Sequence, residues 1–546
     1  MKKRSRNLFR ILGWIILFLI LELGFLFGKT LPWAQQTFGG VSAEEILFHL
    51  KVPLQGTDPS TIFSFLQKAL LPSLIEFLLF LLFFFAFPRW ERKIRNRQER
   101  KTGKQLVLVS KFQLKNGLKY KRNSKCQKSL QHATQPSQKT AYIFWKVPSW
   151  CLCIVSLAFF FVNGYKLCDQ YSVIDYIKQQ RSSSTFIKEQ YVEPQDSLLT
   201  WPQKKRNLIY IFLESMEASY SSIENGGGFE EDLIPELTAL AKENVSFSDT
   251  DGQLGGALPL PSTTWTIAGM FAQTAGLPLT LPIDSNTMGE YSTFLPNVVS
   301  LGNLLEDAGY HNCLMIGSDA TFGGRRNYFE QHGNYEILDY NWAKDTGVIP
   351  ENYHVFWGME DSRLIDEVKN KLMELASGEE PFNLTMLTVD THFPDGYRCD
   401  LCEYQHDSDY KDALSCSSRQ IANLVAWIQE QDFYEDTTIV ISGDHLTMAA
   451  EIEEDLSGYE RHVYNCIINS AITSFSEENE RNRTFSTMDM FPTTLAAMGV
   501  TIEGDRLGLG TNLFGSRTTL LEEFGYDYVM DELKKNSEFY NKHFVY

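Results

Sequence analysis

The chain has 546 residues, more than a single domain usually needs, and its 43% hydrophobic and 22% charged residues exclude a mostly disordered protein. The formal net charge is −18, but it is unevenly spread. The segment from Arg89 to Lys146 carries 17 Lys or Arg against two Glu, which leaves 33 basic and 66 acidic residues elsewhere. An acidic bulk of this kind argues against nucleic acid as a partner.

Three apolar runs, residues 8–27, 70–87 and 147–165, are each close to the length needed to cross a bilayer. The alternative is a buried core helix or, for the first run, a signal peptide, but no small-residue cleavage site follows that run. Basic residues precede the first run and fill the segment between the second and third. The positive-inside rule therefore predicts a multi-pass protein of the cell membrane, with everything after Tyr165 outside the cytoplasm and the lipid bilayer as a partner.

Two carboxylates, Glu22 and Glu76, lie within the first and second apolar runs. Carboxylates inside a membrane are often functional. Both also lie close enough to a helix end or a bundle interior to be structural. Their role stays open at this point.

From Asn207 onward, short apolar runs alternate with longer amphipathic stretches such as residues 361–376 and 417–431. The apolar runs have the length and continuity of strands buried on both faces. The pattern predicts an α/β domain with a mostly parallel central sheet flanked by helices. The predicted strands cover residues 207–214, 312–319, 382–390, 437–445 and 465–470.

These predictions divide the chain into a membrane region and one outer domain. The boundaries are a tail and first span at 1–28, an outer loop at 29–69, a second span at 70–87, a basic cytoplasmic loop at 88–146, a third span at 147–166, a linker at 167–206, the outer domain at 207–516 and a C-terminal tail at 517–546.

Three predicted strands end in residues that can bind a metal: Glu214-Ser215, Asp390-Thr391-His392 and Gly443-Asp444-His445. Ligands of open α/β sheets bind beyond the carboxyl ends of the strands, so these side chains should converge. Their oxygen and nitrogen atoms suit Zn²⁺ or Mn²⁺. One strand that ends in Asp-His is weak evidence for a metal site, but three polar strand ends of this kind favour one.

A nucleophile for such a site could come from residues 259–271, PLPSTTWTIAGMF. Ser262 or Thr263 would cap a helix that runs to about Ala275, and its hydroxyl would face the N–H groups that favour a phosphate. A metal would lower the pKa of this hydroxyl. A plain helix cap is the alternative, and on spacing alone it is the simpler one. No P-loop, H-E-x-x-H or G-x-S-x-G motif occurs.

Six segments in order carry a family resemblance: LIYIFLES, TTWTIAGMFAQTAGLPL, TVDTHFPDG, VISGDH, FSTMDMFPTTLAAMGV and RLGLGTNLF. Over residues 207–514 they resemble the sulfatase-type, alkaline-phosphatase-superfamily domain of lipoteichoic acid synthases and membrane phosphoglycerol transferases. The closer resemblance is to the transferases that modify periplasmic glucans. The membrane region resembles these proteins only in kind.

The resemblance implies that Glu214, Asp444 and His445 bind one divalent cation. Mn²⁺ is the first expectation, and Zn²⁺ or Mg²⁺ are alternatives. It places Thr263 at the catalytic threonine, which also binds the metal. Thr264 replaces it if the alignment slips by one residue, and Thr266 falls on the helix face behind it.

The same resemblance places His392 at a substrate-binding histidine near the leaving oxygen, and Arg325, with Arg326 beside it, at the arginine that binds phosphate or glycerol. Gly323 replaces an aromatic residue of lipoteichoic acid synthases, which counts against synthesis of polyglycerol phosphate. True sulfatases need a Cys or Ser with a following Arg, which TTWT lacks, so sulfate ester hydrolysis is not expected. His462 either approaches the site or is a surface histidine.

The implied reaction takes glycerol phosphate from phosphatidylglycerol to a sugar or glycerol hydroxyl through a covalent threonine intermediate. Alternatives are a phosphoethanolamine transferase, a phosphodiesterase, or a non-catalytic membrane sensor that binds lipid headgroups. The acceptor is left open, as is the choice between a periplasm and a Gram-positive wall space.

Three cysteines, Cys399, Cys402 and Cys416, cluster soon after His392. An outer location permits a disulfide, Cys402–Cys416 or Cys399–Cys416, which would staple the loop. The Cys-x-x-Cys spacing could also be redox-active, although nothing nearby resembles a thioredoxin unit.

Overall fold

The computed structural model describes residues 2–37, 41–51, 59–82, 86, 93, 96–97, 100–101, 138–250, 253–280, 294–473 and 482–545. The chain forms two compact units. One consists of Met1–Ala34 and Ile62–Gln170, and the other of Gln35–Thr61 and Tyr171–Tyr546. Most of the predicted basic loop, 88–146, lies outside the described residues.

Two helical segments that lie mostly in the first unit are long and apolar enough to cross a membrane, Leu12–Thr37 and Pro59–Leu82. A further helix, Gln138–Gln170, includes the third predicted span. The side chains of that helix are described only from residue 154 onward, so the third crossing stays a prediction.

The two carboxylates within the apolar runs contact neighbouring helices of this unit. The Ser73 hydroxyl donates to Glu22 at 3.2 Å, and the Lys29 ammonium lies 2.6 Å from Glu76. These contacts give Glu22 and Glu76 a structural role in joining the first two helices.

The strands of the second unit are β1 Leu199–Thr200, β2 Asn207–Leu213, β3 His311–Ile316, β4 Glu336–Leu338, β5 Phe382–Leu387, β6 Thr437–Gly443, β7 Asn465–Ile468, β8 Thr501–Ile502, β9 Arg506–Leu507 and β10 Gly510–Thr511. Six of them form the central sheet in the order β4-β3-β5-β2-β6-β7, and the others form two small two-stranded sheets. Within the central sheet, β7 is antiparallel to β6 and the other pairs are parallel, as the sequence predicts for a mostly parallel sheet.

Helices cover both faces of the sheet, which explains why its long strands are buried on both faces. In β2, Leu208, Tyr210 and Phe212 enter one hydrophobic cluster, whereas the alternate residues Ile209 and Ile211 enter the other. Such double burial is typical of parallel sheets. The α-helices of this unit are Ala43–Lys51, Val173–Gln180, Phe186–Gln190, Pro235–Glu243, Thr266–Ala275, Leu301–Asp307, Arg325–Gln331, Tyr340–Asp345, Asp361–Ala376, Asp409–Gln429, Ala450–Asp455, Met490–Ala497, Leu520–Phe524, Tyr526–Leu533 and Glu538–Tyr540.

The unit extends beyond the predicted boundaries of 207–516 at both ends of the chain. Phe48, from the predicted outer loop, and Phe544, from the predicted tail, are both buried in the same cluster as β2. The Tyr540 hydroxyl donates to the Pro278 carbonyl at 2.7 Å. These segments therefore belong to the folded body, because their apolar faces are buried against it.

Candidate active site

The site is built at the carboxyl ends of two adjacent parallel strands. β2 pairs with β6 in a register that sets Leu213 opposite Gly443, so Glu214 and Asp444 follow at the same edge of the sheet. A Cβ on Gly443 would lie 1.9 Å from the Met216 carbonyl oxygen, so this close approach requires glycine. The pairing brings two carboxylates side by side.

Glu214, Asp444 and His445 lie together, as the sequence predicts for metal ligands. One ligand atom from each is within 4.8 Å of the others, and all three side chains are buried. His445 Nδ1 lies 2.7 Å from the Leu446 carbonyl, which can only accept, so this nitrogen carries a proton and Nε2 faces the carboxylates. Glu214 Oε1 and Asp444 Oδ2 are each 3.4 Å from that Nε2 atom.

The electrostatics of this group fit a divalent cation. Burial and the neighbouring Glu214 raise the pKa of Asp444 to about 8. Burial alone would lower the pKa of His445, but the Asp444 and Glu214 carboxylates raise it to about 10. Burial would also raise the pKa of Glu214, whereas His392 and His445 lower it to about 2. Within the described part of the chain, no hydrogen-bond donor reaches the buried Asp444 Oδ2, an atom that a cation would satisfy.

The hydroxyl that faces these ligands belongs to Thr266, not to Thr263. Thr266 is the first residue of the helix Thr266–Ala275, and its Oγ1 lies 3.3 Å from Glu214 Oε2 and 3.5 Å from His445 Nε2. The Thr263 hydroxyl instead donates to the Leu260 carbonyl at 2.9 Å. Residues 261–262 form a turn and the helix begins later than the sequence predicts, so the assignment of Thr263 as the nucleophile stays a prediction.

A glycine lets this helix approach the metal ligands. A Cβ on Gly269 would lie 2.0 Å from the carbonyl oxygen of Asp444. The helix packs at that distance only without a side chain at residue 269, which lies one turn beyond Thr266. Helix and strand end are thereby held in contact.

Arg325 faces the carboxylates, whereas Arg326 points elsewhere. The Arg325 side chain donates to the carbonyls of Asp319 and Phe322 at 2.9 and 3.1 Å. Burial lowers the pKa of Arg325, and the charges of Glu214 and other carboxylates oppose that shift. Arg326 pairs with Asp339 at 2.6 Å. The structure thus separates the two arginines that the sequence left as neighbours.

His392 lies beside the same group and is enclosed by aromatic rings. Its ring is 4.5 Å from both Trp357 and Phe393, and its Nδ1 lies 2.8 Å from the Phe393 carbonyl. Burial lowers the pKa of His392, although the Glu214 charge opposes this. Because the Phe393 carbonyl can only accept, Nδ1 carries a proton, and Nε2 is the acceptor nitrogen of the neutral ring. The sequence analysis did not anticipate the Trp357 contact.

His462 belongs to a separate pair. Its Nε2 lies 3.4 Å from Asp249 Oδ2, and the histidine is buried rather than on the surface. It is not part of the Glu214, Asp444 and His445 group.

The helix Ala43–Lys51 covers the approach to the site, a feature that sequence reasoning missed. The Ser262 hydroxyl donates to Glu44 at 2.9 Å, and the Phe48 ring lies 5.3 Å from Trp265. Burial raises the pKa of Glu45 to about 8, and nearby His445 opposes the shift. The sequence pattern that indicates this helix is AEEILFHLK, in which Glu44, Glu45 and Phe48 are spaced to share a helix face.

The predicted disulfide between Cys402 and Cys416 is not formed. All three cysteines of the cluster are free thiols. The Cys399 sulfur lies 3.7 Å from that of Cys402 and 3.9 Å from that of Cys416, so it is close to both partners.

The chain is similar to two curated phosphoglycerol transferases. Phosphoglycerol transferase I of Xanthomonas campestris pv. campestris is 34% identical over 317 residues, which cover 57% of this chain and 42% of that relative. Phosphoglycerol transferase I of Escherichia coli (strain SMS-3-5 / SECEC) is 36% identical over 276 residues, which cover 50% of this chain and 34% of that relative. The chain thus spans less than half the length of these curated relatives.

Two solved structures are also similar. The lipoteichoic acid synthase LtaP from Listeria monocytogenes is 16% identical, with a TM-score of 0.43, over 60% of this chain and 80% of that one. The integral membrane protein lipooligosaccharide phosphoethanolamine transferase A (EptA) from Neisseria meningitidis is 13% identical, with a TM-score of 0.49, over 89% of this chain and 84% of that one. The family model described as Sulfatase matches residues 206–500, more than half of the chain, and the chain therefore belongs to the sulfatase family.

Proposed function

We propose that the chain is a membrane-anchored phosphoglycerol transferase that moves glycerol phosphate from phosphatidylglycerol to a hydroxyl of a cell-envelope glycan or glycolipid. The observation that carries this proposal is the position of Thr266, whose hydroxyl starts a helix and faces Glu214 and His445. The name shared by the curated relatives supports the transferred group.

Thr266 is the proposed nucleophile in a two-step transfer. In the first step its oxygen bonds to phosphorus, the bond to the diacylglycerol oxygen breaks, and that oxygen receives a proton. In the second step the acceptor oxygen displaces Thr266 from phosphorus and the threonine hydroxyl is restored. The helix N-terminus at Thr266 directs backbone N–H groups toward the phosphate oxygens.

His392 is proposed to move the proton in both steps. Its Nδ1–H is held by the Phe393 carbonyl, so the neutral ring presents Nε2 as an acceptor. Because burial lowers the pKa of His392, the protonated ring returns its proton readily. The family resemblance implied only a substrate-binding histidine near the leaving oxygen, whereas this geometry supports a proton shuttle.

Arg325 is proposed to bind the non-bridging oxygens of the phosphate. The two backbone carbonyls that anchor the guanidinium leave it preorganised, so no reorganisation is needed as charge develops. The Glu214 charge opposes the lowering of the Arg325 pKa by burial, which supports a guanidinium near the reacting group. Arg325 and His392 are thus both proposed substrate-binding residues.

Glu214, Asp444 and His445 are proposed to hold one divalent cation, with the Thr266 hydroxyl beside them. When bound, the cation lowers the pKa of a hydroxyl and neutralises phosphate charge. Two carboxylates with one imidazole suit Mn²⁺, and Zn²⁺ and Mg²⁺ use the same ligand types. The two apolar helices support membrane anchoring, which keeps the site near a lipid donor.

The proposal is tested with the full chain in detergent, Mn²⁺, and phosphatidylglycerol labelled in its headgroup glycerol. We expect diacylglycerol release, and transfer of the label to an added oligosaccharide or glycolipid. Phosphatidylethanolamine is the control donor, tested in place of phosphatidylglycerol. Its turnover in place of phosphatidylglycerol would make the chain a phosphoethanolamine transferase, and transfer to water alone would make it a phosphodiesterase.

A further inference from the structure

The cysteine cluster defined by Cys399, Cys402 and Cys416 has the geometry of a metal site. Two sulfur–sulfur distances are 3.7 and 3.9 Å, and all three sulfurs lie within 4.8 Å of one another. A tetrahedral zinc ion with Zn–S bonds near 2.3 Å sets its sulfur ligands about 3.8 Å apart. We propose that these three thiolates bind a zinc ion, separate from the cation at Glu214, Asp444 and His445.

The Cys-x-x-Cys turn supports thiolate ligands. The Cys402 N–H donates to the Cys399 carbonyl at 3.0 Å, which closes the turn. The turn holds the Cys399 and Cys402 sulfurs 3.7 Å apart, a spacing that suits two ligands of one metal ion.

A side-chain amide supplies further donors to the same sulfurs. Gln420 Nε2 lies 3.4 Å from the Cys416 sulfur and 3.8 Å from the Cys399 sulfur. Gln420 and Cys416 are one turn apart on the helix Asp409–Gln429, so the amide is fixed beside its ligand. Outer donors of this kind orient metal ligands and tune their charge.

The loop that carries Cys399 and Cys402 is held in place by protein contacts alone. Arg398 pairs with Asp412 at 3.2 Å, and the backbone N–H groups of Gln405 and His406 each donate to the same carboxylate at 2.9 Å. The Arg419 guanidinium donates to the Leu401 carbonyl, also at 2.9 Å. The sulfurs are therefore preorganised, which reduces the entropy lost when a cation binds.

The zinc ion would fasten the loop of His392 to the helix Asp409–Gln429. The Gly396 N–H donates to the His392 carbonyl at 3.1 Å, and the Tyr397 N–H donates to the Asp390 carbonyl at 2.7 Å. Cys399 follows two residues later. The metal thus has a positioning role for this loop and no direct part in catalysis.

Cobalt titration of the full chain in detergent tests this site. The chain is reduced anaerobically, treated with a chelator and titrated with Co²⁺, because only sulfur ligands give thiolate-to-cobalt charge-transfer absorption. Glu214, Asp444 and His445 offer no sulfur, so the two sites are distinguished. We expect the absorption to saturate at one equivalent and to disappear when Zn²⁺ is added.

Serine variants locate the ligands. Cys399→Ser, Cys402→Ser and Cys416→Ser should each lose the charge-transfer absorption, whereas Cys168→Ser, a cysteine outside the cluster, should keep it. Retained Mn²⁺ binding in each variant shows that the chain is folded. A disulfide among the three cysteines in peptide maps of the untreated protein, or no charge-transfer absorption with all three thiols free, would overturn the proposal.

Discussion

Arg325 and Arg326 are adjacent in sequence, but Arg326 pairs with Asp339, whereas Arg325 is held by two backbone carbonyls. Replacing Arg325 with Gln should lower kcat for headgroup transfer by about 100-fold or more, the usual effect of losing one preorganised donor to a developing oxyanion. Arg326→Gln is the matched control and should retain most activity, because its charge is paired with Asp339. Equal losses in both variants would show that Arg325 has no special role at the phosphate.

Cation binding at Glu214, Asp444 and His445 should depend on pH. With pKa values near 8 and 10, Asp444 and His445 hold protons near neutrality that a cation must displace. Affinity for Mn²⁺ should therefore fall on acidification and rise as the pH increases toward these values. Calorimetric titration of chelator-treated protein in buffers of different ionisation enthalpy measures both affinity and proton release. A pH-independent affinity without proton release would contradict this ligand assignment.

The sequence predicts that Glu214, Asp444 and His445 converge, but it does not predict which threonine hydroxyl lies beside them. Glu214, Asp444 and His445 each follow an apolar run directly, so strand ends alone indicate their convergence. Which threonine hydroxyl lies beside these residues depends on where one helix begins, and three threonines occur among the four residues 263–266. Trp265, a residue with no capping side chain, is the N-cap of that helix, so no local signal marked the start.

At the level of elements, the contact between the Thr266–Ala275 helix and the end of β6 depends on Gly269. Gly269→Ala would force the helix away from the Asp444 carbonyl, at a cost of about 1–3 kcal/mol in unfolding free energy. It should also weaken Mn²⁺ binding, because Thr266 and the metal ligands separate.

Ala272→Gly on the same helix is the control for Gly269→Ala. It should cost about 1 kcal/mol through helix propensity and about 0.8 kcal/mol more through the loss of a buried methyl group, and leave the cation affinity unchanged. Chemical denaturation and calorimetry measure the two effects. Unchanged Mn²⁺ affinity in Gly269→Ala would show that the helix contact does not shape the site.

The central sheet was predictable because its strands are apolar on both faces, whereas the helix Ala43–Lys51 was not. That segment lies between two apolar runs and reads as a loop, and its helix is buried only through tertiary contacts such as Phe48 with Trp265. The burial of the C-terminal segment was also not predictable from the sequence, because Tyr540 and Phe544 pack against residues distant in sequence.

For the whole molecule, the charge pattern predicts that the second unit lies outside the cytoplasm. Protease added to intact spheroplasts should cleave sites after Tyr171 and spare the basic segment 88–146. Opening the membrane should expose that segment. Cleavage of the basic segment in intact spheroplasts would reverse the proposed orientation.

The most direct test of the account is the intact mass of the full chain after incubation with Mn²⁺ and phosphatidylglycerol. Thr263→Val and Thr266→Val both remove a hydroxyl and keep the shape of the side chain. We expect a gain of one glycerophosphoryl group in the wild type and in Thr263→Val, and none in Thr266→Val. An adduct that persists in Thr266→Val, or that disappears only in Thr263→Val, would contradict it.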